Sequence, residues 1–173
     1  MRKAEMDVST VAGGNLIIRN KVPLGKCPDN LCEWLHNNAD KFGEKAFLRQ
    51  RNPEGGWYSL SFAETRSKVN QISNRLVEME LDESRPIAIL SENSINFALT
   101  QLAAMQIGLA VTPISFAYSA VSQTGGHIKH ILDVSGASVL VMSDADLHMP
   151  KLKQWELGDL RLYAFSNSEK YSG

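Results

Sequence analysis

Cysteine is nearly absent from this chain. Cys27 and Cys32 are its only two, too few and too oddly spaced for a zinc cluster, and a chain of 173 residues does not need a disulfide framework to fold. An excess of charge of either sign is missing as well. The 18 basic and 19 acidic residues are spread along the chain and leave a formal net charge of −1, so there is no electrostatic footprint for nucleic acid or an anionic membrane. The longest apolar runs fall far short of the roughly 20 residues that cross a bilayer. The charged, glycine-containing start, residues 1–15, lacks the apolar centre of a secretory signal. A cytoplasmic location is the expectation these absences leave. There is no internal repeat, no low-complexity segment, no nucleophile elbow and no nicotinamide or flavin motif, which makes a small oxidoreductase the weakest functional class.

What is present is a foldable core. A hydrophobic content of 43% suits one domain or slightly more. The most informative stretch is IAILSENSINFALTQLAAMQIGLAVTPISFAY, Ile87 to Tyr118. Ile87 to Leu90 has the length and lack of alternation of a strand covered on both faces. Ser91-Glu92-Asn93-Ser94 turns the chain, and Ser94 is placed to cap a helix whose inner face is Ile95, Leu99, Leu102, Ala103 and Ile107. Gly108 stands where a left-handed residue ends that helix, and Ala110-Val111-Thr112 starts the next strand. This is a βαβ unit.

The flanks extend the alternation. The first dozen residues read as a frayed arm, followed by a short strand at Leu16-Ile17-Ile18 and an extended lead through Val22-Pro23-Leu24-Gly25. Asp29 is the expected cap of a helix carrying Leu31, Trp34, Leu35, Ala39 and Phe42, with Gly43 at its end. Lys45 to Gln50 and Trp57 to Leu60 read as a hairpin. Ser61 and Glu64 form a capping box for an amphipathic helix that places Phe62, Val69, Ile72, Leu76 and Met79 on one side. Pro113 implies that its strand ends nearby or runs at a sheet edge. Ser115 to Thr124 reads as a polar connection, and a helix through Ile128, Ile131 and Leu132 lies between Gly126 and Gly136. A third buried strand covers Ser138 to Met142, then a helix Met149 to Leu157 and a last strand Leu160 to Phe165. The fold class expected is α/β, a mostly parallel sheet with helices on its faces. Its division is an arm and lead-in, 1–28, and a partial domain, 29–173.

The same words carry a family resemblance. The βαβ stretch, the upstream segment from Cys27 with GGWYSLSFAE, and HIKHILDVSGASVLVMSD downstream resemble the front of the adenylate-forming (AMP-binding) enzymes, which include acyl-CoA and aryl-CoA synthetases. Within that group PISFAYSAVSQ and LIIRNKVPLG are most similar to feruloyl-CoA synthetases. The resemblance covers Leu16 to Asp144 and fades beyond. It implies an N-terminal subdomain of an ATP-dependent acid-thiol ligase, which adenylates a carboxylic acid and passes it to coenzyme A, using ATP and Mg.

Members of that family grip the ATP phosphates on a Ser/Thr/Gly-rich loop ending in Pro-Lys-Gly, and this sequence has none. Ser135-Gly136-Ala137 and Ser172-Gly173 are its nearest scraps, and no lysine follows either at the required spacing. The expectation is therefore an N-terminal fragment, inactive alone, that binds no cofactor itself. Its partners would be the remainder of the parent ligase domain and, through exposed apolar surface, a second copy in a homodimer. A free-standing α/β binding or interaction module is the rival reading.

Individual residues offer little chemistry. His127, His130 and Asp133 have a spacing that places three metal ligands on one helix face, yet the helix already buries Ile128, Ile131 and Leu132. Asp144-Ala145-Asp146 resembles a metal-holding acidic pair but suits a helix cap better. The loop Ser91 to Ser94 lies at the carboxyl end of a parallel strand, where open α/β sheets gather ligands, but carries no glycine fingerprint. Glu64 and Glu92 are lone carboxylates read as cap and turn, and Trp34, Trp57 and Tyr58 as core and sheet packing. No catalytic, cofactor-binding or metal residue is assigned.

Overall fold

The computed structural model describes residues 5–23, 25–120, 125–154 and 156–166. It opens on an antiparallel hairpin of β1 (Met6–Thr10) and β2 (Leu16–Asn20), with Val8 opposite Ile18. The frayed arm is thereby corrected. Met6 and Val8 alternate with Asp7 and Ser9, and Gly13 and Gly14, at φ of 86° and 77°, supply a turn that a side chain would strain.

Next comes α1 (Leu31–Phe42). Its cap is Asn30, not Asp29: Asn30 Oδ1 accepts from the Glu33 amide at 2.8 Å, while the Asp29 amide donates to Glu33 Oε2 at 3.1 Å. Gly43 follows the helix as expected but keeps a right-handed φ of −44°. The expected hairpin is β3 (Ala46–Arg51) and β4 (Trp57–Ser61). At the start of α2 (Phe62–Glu78) the capping box closes, Ser61 Oγ accepting from the Glu64 amide at 3.2 Å and Glu64 Oε2 from the Ser61 amide at 2.8 Å.

Four parallel strands form the centre: β5 (Ile87–Ser91), β6 (Val111–Ser115), β7 (Val139–Met142) and β8 (Arg161–Ala164), in the order β6-β5-β7-β8. All of β5 and β7 is buried. Pro113 is tolerated because β6 is an edge. Between the strands run α3 (Ile95–Gln106), capped by Ser94, the short α4 (Ala117–Ala120), α5 (Gly126–Ser135) and α6 (Ala145–Leu152). Gly108 has φ 83° and Gly136 φ 64°, as helix-ending glycines should.

Two corrections fall here. The connection 115–124 holds the last residue of β6 and all of α4, its residues 121–124 lying outside those described. The helix expected at 149–157 instead begins at Ala145, where Asp144 caps it, and ends at Leu152. Pro150 therefore falls inside the helix, where it has no amide to donate and its ring crowds the preceding turn, and the helix stops two residues later.

Strand order decides which face each helix covers. The chain steps from β5 to β6 in one direction and from β6 to β7 and β8 in the other, so right-handed crossovers put α3 on one face and α5 and α6 on the opposite one. Ile87, Ile89 and Val139 accordingly meet Leu99, Ala103 and Val69 on the first face. Ala88, Leu90 and Leu140 meet Ile128, Leu132 and Leu152 on the second. Each buried aliphatic side chain contributes roughly 1.5–3 kcal/mol relative to exposure. On the first face α1, α2 and α3 are also tied by polar contacts. Ser73 Oγ donates to the Ala103 carbonyl at 3.0 Å, and Gln106 reaches both His36 and Asn70 at 3.0 Å.

Candidate functional site

The reversal of strand order leaves a crevice at the carboxyl ends of β5 and β7, the position where open α/β sheets take ligands. A cavity of about 380 Å³ lies there, and Lys68 of α2, Glu92 and Ser94 of the β5–α3 loop, Ser143 after β7 and Ser166 after β8 line it. Leu60 and Leu99 give it an apolar wall. The Ser91 to Ser94 loop is therefore brought to a cavity, as its place in the sequence implied. Gln50 Oε1 accepts from the Ile95 amide at 2.8 Å and Ser94 Oγ from the Phe97 amide at 3.1 Å, which fixes the loop to the β3–β4 hairpin.

Behind Ser143 is a residue that sequence reasoning passed over. His148 on α6 is fully buried. One ring nitrogen, Nδ1, is 2.6 Å from Ser119 Oγ, and the other, Nε2, is 3.1 Å from Ser143 Oγ. The Phe116 ring meets the imidazole edge-on. Burial pushes the imidazole pKa below its ordinary value, against the opposing pull of Glu92 and Asp144 and with a further push from Lys151. Lys151 also donates to the Ser119 carbonyl, so α4 is pinned to α6. No spacing rule marks a single histidine in LHMPKL; the serines that make it notable are 29 and 5 residues away.

The other singled-out residues are not gathered here. His127 and His130 are exposed, and Asp133 is paired with Lys129 Nζ at 2.7 Å. Tyr118 lies against the His127 ring. Among the described residues no group of three His, Cys, Asp or Glu side chains is placed to hold a metal ion. Asp144 is the cap of α6, its Oδ1 accepting from the Asp146 amide at 2.8 Å. Glu64 serves the capping box, and its carboxyl lies below the ordinary range because the Ser61 amide and hydroxyl bond to it. Trp34, Trp57 and Tyr58 correct the packing expectation: they are 48%, 56% and 51% exposed, and Trp57 instead carries the Arg51 guanidinium over its ring. Cys27 is exposed and Cys32 buried, both as free thiols.

The N-termini of α3 and α6 do not fit the phosphates of ATP. Helix N-termini attract phosphate through amides without partners, but here Gln50 and Ser94 take those of Ile95 and Phe97, and Asp144 takes those of Asp146 and Leu147. No glycine opens the β5–α3 loop to close approach.

Strand order, helix placement and a ligand-facing crevice define an α/β unit of the doubly wound class. The model of the AMP-binding enzymes matches residues 35–167, well over half of the sequence, and the chain belongs to that family. A curated relative, the long-chain-fatty-acid–CoA ligase heimdall of Drosophila melanogaster, is 25% identical over 129 residues, covering 73% of this chain and 18% of that ligase. Among solved structures, the Legionella pneumophila fatty acid AMP ligase has a TM-score of 0.64 at 14% identity, covering 78% of this chain and 23% of that one. For Klebsiella oxytoca NpsA in complex with 3-hydroxyanthranilyl-AMSN the values are 0.61, 17%, 78% and 24%. The Brucella canis acyl-CoA synthetase gives 0.59, 19%, 71% and 22%. These likenesses show the fold, that of the N-terminal subdomain of adenylation enzymes. The chain spans less than a quarter of the length of each of these four relatives. No helix of the described residues is long and apolar enough to cross a membrane.

Proposed function

We propose that this chain is the amino-terminal part of an ATP-dependent acid-thiol ligase, an acyl-CoA or aryl-CoA synthetase most like the feruloyl-CoA synthetases, working in the cytoplasm. The observation that carries the reading is the family match across residues 35–167, and the curated ligase similar to the chain supports the acyl-CoA branch. The whole enzyme would join a carboxylic acid to AMP with release of pyrophosphate and then transfer the acyl group to the coenzyme A thiol. ATP, Mg and coenzyme A would be held by segments that this sequence does not contain, because the N-termini of α3 and α6 at the sheet's carboxyl end are already capped by Ser94 and Asp144. The part described supplies the scaffold: a buried parallel sheet with α3 and α2 on one face and α5 and α6 on the other. The rival reading, a free-standing interaction module, draws no support from the family match.

Two measurements check this. The 173-residue chain should neither exchange pyrophosphate into ATP nor form an acyl-CoA, and millimolar ATP should leave its melting temperature unchanged, since stabilisation requires a site that prefers the folded state. Turnover that follows the purified chain through successive columns overturns the assignment of inactivity. A longer chain carrying the family's phosphate loop should exchange pyrophosphate with ferulic acid in preference to a long-chain fatty acid. The opposite preference rejects the feruloyl assignment while leaving the ligase class standing.

A further inference from the structure

The adenylation reading assigns no role to the Ser143–His148–Ser119 cluster. Ser143 follows β7 directly, its residue lines the 380 Å³ cavity, and its hydroxyl lies 3.1 Å from His148 Nε2, within reach for proton transfer. On the far side of the imidazole, Ser119 is buried and its Oγ lies 2.6 Å from Nδ1. With the Nδ1 proton donated to Ser119, Nε2 is the free base facing Ser143, the tautomer a nucleophile–base pair requires. The other two serine hydroxyls in the cavity are engaged in holding backbone. Ser166 Oγ donates to the Ser143 carbonyl at 3.1 Å, and Ser94 Oγ accepts from the Phe97 amide.

We infer that Ser143 is a nucleophile activated by His148, with Ser119 as the positioning residue, in a site that takes a small carboxylic ester. Leu60 and Leu99 would hold the acyl group, and Lys68, which also lines the cavity, would meet developing negative charge on the carbonyl oxygen. In the first step Ser143 Oγ bonds to the ester carbonyl carbon while its proton passes to His148 Nε2. The carbon–alkoxy bond then breaks, and the alcohol leaves with that proton. In the second step water adds to the Ser143 ester, giving its proton to His148, and the acid departs as Oγ recovers its hydrogen. Glu92 from the β5–α3 loop, Asp144 at the cap of α6 and Lys151 from α6 are the charged groups that act on the imidazole. The two carboxylates favour the transient imidazolium. This site is independent of the ligase assignment, and its failure would leave that assignment untouched.

The test is covalent labelling of the full 173-residue chain with a small alkyl fluorophosphonate, in which the serine oxygen bonds to phosphorus and fluoride leaves. Peptide mass mapping should place the adduct on Ser143, with none on Ser94 or Ser166. The labelling rate should rise with pH as His148 loses its proton. It should fall about 100-fold in His148→Gln, the usual worth of a general base, and by less in Ser119→Ala. Circular dichroism establishes that the variants fold. If His148→Gln does not fold, the pH profile of the unaltered chain and the Ser119→Ala rate decide the matter. Absence of label on Ser143, or a Ser143 rate that is independent of pH and the same in the folded variants, overturns the inference.

Discussion

Burial of His148 ties the stability of this chain to mild acid. Folding holds the imidazole neutral by desolvation, whereas the unfolded chain lets it protonate at its ordinary value near 6.5. Below that value the unfolded state binds more protons, so stability falls as pH drops from about 6.5 toward the lower folded pKa, and is fully present above about 6.5. The carboxyls of Glu64, Asp82 and Asp159 act in a lower window. Their pKa values are lowered by hydrogen bonds from Ser61, Ser84 and Arg85 respectively, so their contribution is lost only as pH falls below the ordinary carboxylate range. Urea midpoints measured across pH should therefore decline in two stages, and a folded His148→Gln variant should lack the first. A single stage at carboxylate pH in the unaltered chain would remove His148 from the argument. Gly108 tests backbone rather than charge. A Cβ there meets nothing within 4 Å, so Gly108→Ala should cost the left-handed strain alone, roughly 1–2 kcal/mol, and Gly108→Val at least as much.

At the scale of the element, α3 is the informative helix. Its period of apolar residues names five inner positions, yet the structure grades them: Ile95, Leu99 and Ala103 are buried, while Leu102 and Ile107 are partly covered at the margin of the cluster. Leu99 is 4% exposed and faces Ile87 and Ile89 of β5 within that core. Leu99→Ala should therefore cost on the order of 2–5 kcal/mol and Leu102→Ala clearly less, because a half-covered site loses less transfer energy and leaves no closed cavity. Chemical denaturation of both variants checks the order. Equal losses, or a larger one at Leu102, would mean that α3 is rotated about its axis.

For the whole molecule, the exposed apolar surface is the feature to test. Val8, Leu16 and Ile18 of the first hairpin are 56%, 64% and 60% exposed, and Trp34 and Trp57 are about half exposed. Val8 and Ile18 are cross-strand partners, so they share one face of their ribbon. In a longer ligase such surface would pack against the rest of the enzyme. Alone, the chain is expected to self-associate, most simply as a symmetric dimer, and to bind a hydrophobic dye. Light scattering over a wide concentration range checks this. A strictly monomeric species that binds no dye would show a finished surface and weaken the assignment as part of a larger globule.

The elements of the core were determined locally. Continuous apolar runs at Ile87–Leu90 and Val139–Met142, the capping box of Ser61 and Glu64, the Ser94 cap and the glycine at 108 each act through backbone geometry and burial within a few residues. They are therefore legible in the sequence. Caps and ends that differ by one competing residue, Asn30 against Asp29 or the reach of α6 past Pro150, are decided by small differences that no pattern resolves. The first hairpin was obscured because its alternation is short and its partner is six residues further on. Tertiary structure alone decided strand order, and with it the crevice between β5 and β7. It also decided that Trp57 faces outward beneath Arg51 and that His148 meets Ser119 and Ser143. Those outcomes depend on crossover handedness and on contacts between distant segments, and no local periodicity encodes a contact between side chains 29 residues apart.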